Sequence, residues 1–179
     1  MYGVVLAGGA SRRFGADKTH IQVDGLTLLE RSKRALEPVC DVVRVIRATD
    51  DLRPGRGPLA AIETALTWAD GPVLVVACDL PGLSPELIRV LAEWNPAALV
   101  VVPVVGGRRH ALCSRWSQAA LPAVTAALDA GEGSVQRVLD RLGAEEVDEA
   151  ALVAAGIDAT VALWNVNRPA DLEEFKAAR

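Results

Sequence analysis

Val73-Leu74-Val75-Val76-Ala77-Cys78-Asp79-Leu80-Pro81 is the stretch that decides how the chain folds. Its first five residues are apolar without alternation, which fits a strand buried on both faces, and such strands belong to parallel sheets covered by helices on either side. Working outward, residues 3–7, 42–46, 99–102 and 161–164 are similar short apolar runs, separated by longer segments. Residues 27–36, 58–69 and 85–94 read as helices. Pro58 and Pro85 suit the first helical position, where the missing N–H costs nothing, and Ser84 suits the cap before it. Residues 116–142 give one or two further helices, broken near Gly131 and Gly133 and stopped by Gly143, and residues 168–178 give a terminal helix. Gly106-Gly107, set between Val105 and Arg108, predicts a hairpin turn. The pattern is α/β: three α/β/α layers around a mostly parallel sheet with one antiparallel excursion, residues 1–179 forming a single domain.

The 179 residues are 51% hydrophobic, enough for a sizeable core and too apolar for a disordered tail. A net charge of -4 with 4% aromatics leaves little basic, ring-bearing surface, which argues against general DNA or RNA binding. The charge is uneven. Residues 1–60 hold 10 basic and 7 acidic side chains, leaving 9 basic and 16 acidic beyond, so an anionic ligand is expected near the N-terminus. With no basic leader and no apolar stretch of membrane-spanning length, the expected location is cytoplasmic, away from membranes. Cys40, Cys78 and Cys113 are odd in number and far apart, and they read as buried, reduced thiols.

In a doubly wound sheet, ligands sit at the carboxyl ends of the strands near a switch in strand order. Three polar clusters follow the apolar runs. The first, Leu6-Ala7-Gly8-Gly9-Ala10-Ser11-Arg12-Arg13-Phe14-Gly15-Ala16-Asp17-Lys18, puts small residues where backbone N–H groups can approach a polyphosphate and adds Arg12, Arg13 and Lys18 as positive charge. It is a phosphate cradle but not a Walker A loop, because Ala16 follows Gly15 where that motif needs Lys. The second is Asp79, a carboxylate held at the end of a rigid strand, where Mg²⁺ could be shared with nucleotide phosphates. The third is Asn165-Val166-Asn167-Arg168-Pro169, whose amides can donate and accept. Arg109 and His110, beyond the Gly106-Gly107 turn, can bind an anion. No catalytic role falls to His110.

Leu6-Ala7-Gly8-Gly9, Arg13-Phe14-Gly15 and Asp17-Lys18 resemble the signature loop of the nucleotidyltransferases with a Rossmann-like, GT-A-like fold, and among these the molybdenum cofactor guanylyltransferase family. Asp51-Leu52-Arg53-Pro54-Gly55-Arg56-Gly57-Pro58-Leu59-Ala60-Ala61 is similar to that family's middle stretch, with Ala61 in place of a Gly. Cys78-Asp79-Leu80-Pro81 resembles its metal motif, and Asn165-Val166-Asn167-Arg168-Pro169 its Asn-x-Asn-Thr-Pro, with Arg168 for Thr. These motifs span nearly the whole chain.

The resemblance implies an Mg²⁺-dependent transfer of a nucleoside monophosphate, GMP from GTP, to molybdopterin, with release of pyrophosphate. It implies catalytic roles for Arg13, Lys18 and Asp79. It implies nucleotide contacts at Leu6, Ala7, Gly8, Gly9, Lys18, Asp51, Gly57, Pro58, Leu59 and Asp79. Metal binding falls to Asp79, and acceptor contacts to Arg109, Asn165 and Asn167. Transient contact with proteins that handle the molybdenum cofactor is implied as well. Two other readings stay open at this point: a cytidylyl- or guanylyltransferase for another phosphorylated acceptor, and a non-catalytic nucleotide-binding homologue. The connection 47–57 is short and offers Ile46, Arg47 and Ala48 where the family reads the base with Asn, which predicts weak discrimination among nucleotides.

Overall fold

The computed structural model describes residues 1–7 and 20–178. β1 (Tyr2–Leu6) is followed by a small hairpin, β2 (Gln22–Val23) and β3 (Leu26–Thr27), then by α1 (Leu28–Leu36), β4 (Val42–Ile46), α2 (Pro58–Trp68), β5 (Val73–Ala77) and α3 (Pro85–Glu93). The chain continues through β6 (Val100–Val105), β7 (Arg108–Arg109), β8 (Cys113–Trp116), α4 (Leu121–Asp129), α5 (Val135–Leu142) and β9 (Glu145–Val147). It closes with α6 (Glu149–Ala154), α7 (Ala159–Ala162) and α8 (Pro169–Ala177). Among the described residues the main sheet has seven strands in the order β4-β1-β5-β8-β6-β7, with β9 also paired to β6.

Parallel pairing joins β1 to β4 and β5, and β6 to β9. The antiparallel excursion turns at Gly106 and Gly107, both at positive φ (56° and 72°), as a two-residue hairpin of the right twist requires. It runs on through β7 into β8, which lies antiparallel between β5 and β6.

Alternate residues of the central strands bury on opposite faces. Val4, Leu6, Val73 and Val75 pack with Leu59, Ile62 and Leu66 of α2 and with α4 and α5. Val5, Leu74 and Val76 pack with Leu36 of α1, Leu87 and Leu91 of α3, and Leu152 of α6. This two-sided burial is why β5 shows no polar alternation. Local signals set the helix ends: Thr27 and Glu30 form a reciprocal capping box on α1, Ser84 accepts from Leu87 N–H on α3, and Gly143 closes α5 in the left-handed region.

Two expectations are corrected. Residues 161–164 are not a strand: Asp158 caps a single helical turn by accepting from Val161 N–H, and the chain then leaves as coil. The place beside β6 goes instead to Glu145–Val147, whose two glutamates suit a partly exposed edge. Residue 116, read as the start of a helical stretch, ends β8, with Trp116 wholly buried.

All three cysteines are buried and outside any disulfide. Burial pushes the Cys113 thiol up to about 12 and that of Cys40 to about 11, so neither is a nucleophile at neutral pH. Among the described residues no helix is long and apolar enough to cross a membrane.

Candidate active site

Strand order reverses around β1, because the chain adds β4 on one side and then β5 on the other. Leu6 stands level with Ile46 and Ala77 in the two neighbouring strands. Backbone bonds then carry the pairing past the strand ends, Ala7 N–H donating to the Ile46 carbonyl (2.9 Å) and Cys78 N–H to that of Leu6 (3.2 Å). The residues that follow these three strands therefore share one edge, the switch point of an open α/β sheet. Leu6 and Ala7 lead into it, the Leu6 side chain lying in the core, so any ligand contact there is made by backbone. Gly8, Gly9, Arg12, Arg13 and Lys18 lie outside the described residues.

Asp79 follows β5 at this edge and is joined to the third sequence cluster, 86 residues away. Asn165 Nδ2 donates to Asp79 Oδ1 (3.1 Å), and Val166 N–H donates to the Asp79 carbonyl (2.9 Å). Asn167 Nδ2 donates in turn to Asn165 Oδ1. The Asp171 carboxylate accepts the N–H groups of Asn167 (2.7 Å) and Arg168 (2.8 Å), fixing the start of α8. Arginine has no acceptor to return the bond, so Arg168 leaves this capping arrangement half complete.

The connection from β4 to α2 is tied down from several sides. Asp50 accepts Arg47 N–H (2.8 Å) and its own N–H donates to the Arg47 carbonyl (2.8 Å). Arg53 bridges the buried Glu63 (2.8 Å) and Asp129 (2.6 Å), and Arg56 reaches the Leu128 carbonyl (2.9 Å). Within this frame one carboxylate oxygen of Asp51 is buried with no hydrogen-bond partner, and burial, helped by the charge of Asp50, raises its pKa above the usual carboxylate value. Gly57 takes a positive φ (76°) ahead of Pro58, which opens α2, whereas Leu59 is wholly buried and points its side chain into the core.

A cleft of about 550 Å³ opens beside the Asn pair, lined among others by Arg108, His110, Trp164, Asn165, Asn167 and Glu174. Arg109 is not in it. Its guanidinium is held by Asp140 and by Glu146 (2.5 Å), both from the α5–β9 side. Successive residues of a strand face opposite ways, and Arg108 and His110 share the cleft side. Burial first, and then the Arg108 charge, hold the His110 imidazole below its ordinary pKa, so it is neutral at pH 7. Trp164 serves both core and cleft: its ring lies 6.4 Å from that of Phe175, and its indole N–H donates to the Asp171 carbonyl (3.2 Å).

The sequence profile of the MobA-like NTP transferase domain matches residues 3–147. A protein of Pelotomaculum thermopropionicum named "Probable molybdenum cofactor guanylyltransferase" is 34% identical over 183 residues, covering 95% of this chain and 89% of that one. The molybdenum cofactor guanylyltransferase of Desulfosudis oleivorans is 30% identical, covering 98% of this chain and 94% of its own. Among solved structures, molybdopterin-guanine dinucleotide biosynthesis protein A from Archaeoglobus fulgidus shares the fold with a TM-score of 0.83 over 99% of this chain and 98% of that chain, at 23% identity.

Proposed function

The chain belongs to the MobA-like NTP transferase family and is a nucleotidyltransferase, and on that premise we propose that it transfers GMP from GTP to a molybdopterin-type acceptor with Mg²⁺. The acceptor's phosphate oxygen attacks the α-phosphorus, the bond to the β-phosphate oxygen breaks, and pyrophosphate leaves with the electron pair. The observation that carries this reading is the contact of Asn165 with Asp79 at the rim of the cleft. It links the carboxylate at the switch point to a residue that lines the cleft.

Among the described residues no three His, Cys, Asp or Glu side chains form a metal cage. A single strand-end carboxylate completed by substrate phosphates and water suits Mg²⁺, which binds through one or two carboxylates and keeps several waters. Bound there, the ion would supply neutralisation of phosphate charge. Asp79 would hold it, with Asn165 orienting the carboxylate. The backbone of Leu6, Ala7, Gly8 and Gly9 with Arg13 and Lys18 would hold the triphosphate, and Asp51, Gly57, Pro58 and Leu59 would border the nucleoside. Asn165 and Asn167 would face the acceptor. Arg108, which makes no ion pair among the described residues and lines the cleft, would add a cation for the acceptor next to Arg109 in the chain.

Pyrophosphate release from GTP, ATP, CTP and UTP, measured with Mg²⁺ in the presence and absence of molybdopterin, tests this. Release that requires both GTP and molybdopterin supports the proposal. Release that needs a different acceptor moves the chain to another nucleotidyltransferase activity.

Base selectivity is expected to be modest. Arg47 already uses its backbone N–H and one lone pair of its carbonyl on Asp50, and its side chain can only donate, so the side chain offers no acceptor to the N1–H and N2 amino donors of guanine. A site complete in such pairings can discriminate by about 10⁴–10⁵. Calorimetric titration of GTP, ATP and CTP with Mg²⁺ should show a preference below roughly a thousandfold. A larger one would mean that other groups in residues 48–57 read the base.

A further inference from the structure

Arg31, on α1, is outside every motif discussed so far, yet its guanidinium joins two segments that flank the site. Nε donates to the Pro81 carbonyl (2.7 Å), two residues beyond Asp79, and Nη1 donates to the Val23 carbonyl (3.3 Å) in the β2–β3 hairpin. Asp24 lies 3.7 Å from Nη1, and the Arg31 side chain is only 19% exposed. The hairpin follows Lys18 by a few residues in the sequence, while Pro81 belongs to the turn that carries Asp79. That turn is also held by Val166 N–H on the Asp79 carbonyl, by Asn165 on its carboxylate and by the Leu83 N–H bond to Leu80 (3.2 Å). A planar fork with donors in fixed directions is the side chain that can satisfy two carbonyls from separate segments at once.

We propose that Arg31 is a positioning residue: by gripping the Pro81 and Val23 carbonyls together it sets the Asp79 carboxylate against the segment that leaves the phosphate loop. The inference rests on the reading of Asp79 as the metal-holding carboxylate. Partners that orient a metal ligand are commonly worth about 10–100-fold in metal affinity or activity.

The test is pyrophosphate release across a Mg²⁺ titration for wild type, Arg31→Ala, Arg31→Gln and Arg34→Ala, with thermal melting of each. Arg34 is exposed on the same helix and controls for loss of one positive charge. Arg31→Ala should raise the half-saturating Mg²⁺ concentration and lower kcat, each by about tenfold or more, with a smaller change in KM for GTP. Arg34→Ala should match wild type. Should Arg31→Ala fail to fold, Arg31→Gln carries the test, because its amide can reach at most one of the two carbonyls and should shift the Mg²⁺ dependence part of the way. Wild-type Mg²⁺ dependence in a folded Arg31 variant, or an equal shift in Arg34→Ala, overturns the proposal. Asp79→Asn run alongside separates the two readings: if its Mg²⁺ dependence is unchanged, the assignment of Asp79 has failed, whatever the Arg31 variants show.

Discussion

Asp79→Asn should fold normally and lose about three orders of magnitude in turnover. The amide is isosteric, and its oxygen can still accept from Asn165 Nδ2 in place of Oδ1. The Val166 bond to the residue 79 carbonyl involves only backbone. What disappears is the negative charge. Metal-assisted charge stabilisation is worth several kcal/mol in phosphoryl transfer, and about 4 kcal/mol corresponds to roughly a thousandfold in rate. Steady-state pyrophosphate release with a melting curve on the same sample checks both halves. Turnover within tenfold of wild type would remove Asp79 from the chemistry, and a large fall in melting temperature would make the lost activity a folding effect.

Gly82→Ala is expected to destabilise the protein by about 3 kcal/mol. The reason is space: a Cβ built on Gly82 would stand 2.0 Å from the Val161 carbonyl oxygen, 2.8 Å from its carbon and 3.2 Å from Phe175 Cε2. The first two are backbone atoms at the end of α7, which cannot rotate aside as a side chain would. The chain has to shift, and the segment that shifts leads directly to Trp164 and Asn165. For a chain of this size about 3 kcal/mol corresponds to a fall in melting temperature of roughly 6–12 °C. Activity should fall further than the melting curve alone accounts for, because the Asn165–Asp79 contact is pulled apart. A melting temperature within about 2 °C of wild type would show that the Asp79 turn and α7 are not rigidly packed together.

The parts of the fold legible in the sequence are those whose signal lies in neighbouring residues. The strands at 42–46 and 73–77 have the bounds expected from their apolar runs, Pro58 and Pro85 open their helices, and Gly143 closes another. Glu145–Val147 was hidden because an edge strand tolerates charge, and it is recognisable only by its pairing with β6. Residues 161–164 misled because four apolar residues fit a strand and a buried helical turn equally well, and Asp158 supplies the cap that selects the turn. The hairpin at Asp24-Gly25, both at positive φ (52° and 78°), had a usable Asp-Gly signal.

The candidate site divides in the same way. Sequence alone marked Asp79, the Asn165–Asn167 pair, Asp51 and the glycine-rich loop, since each follows an apolar run or carries a family motif. It could not tell Arg108 from Arg109. One faces the cleft and the other is tied to Asp140 and Glu146, a choice made by strand register and by side chains more than thirty residues away. Nor could it show that Asn165 meets Asp79 across 86 residues, that Gly82 must stay small, or that Arg31 spans two segments of the site. Propensity and periodicity act over a few residues and are written in the order of the chain. Which side chains share a space depends on how the layers pack, and packing is a property of the whole molecule.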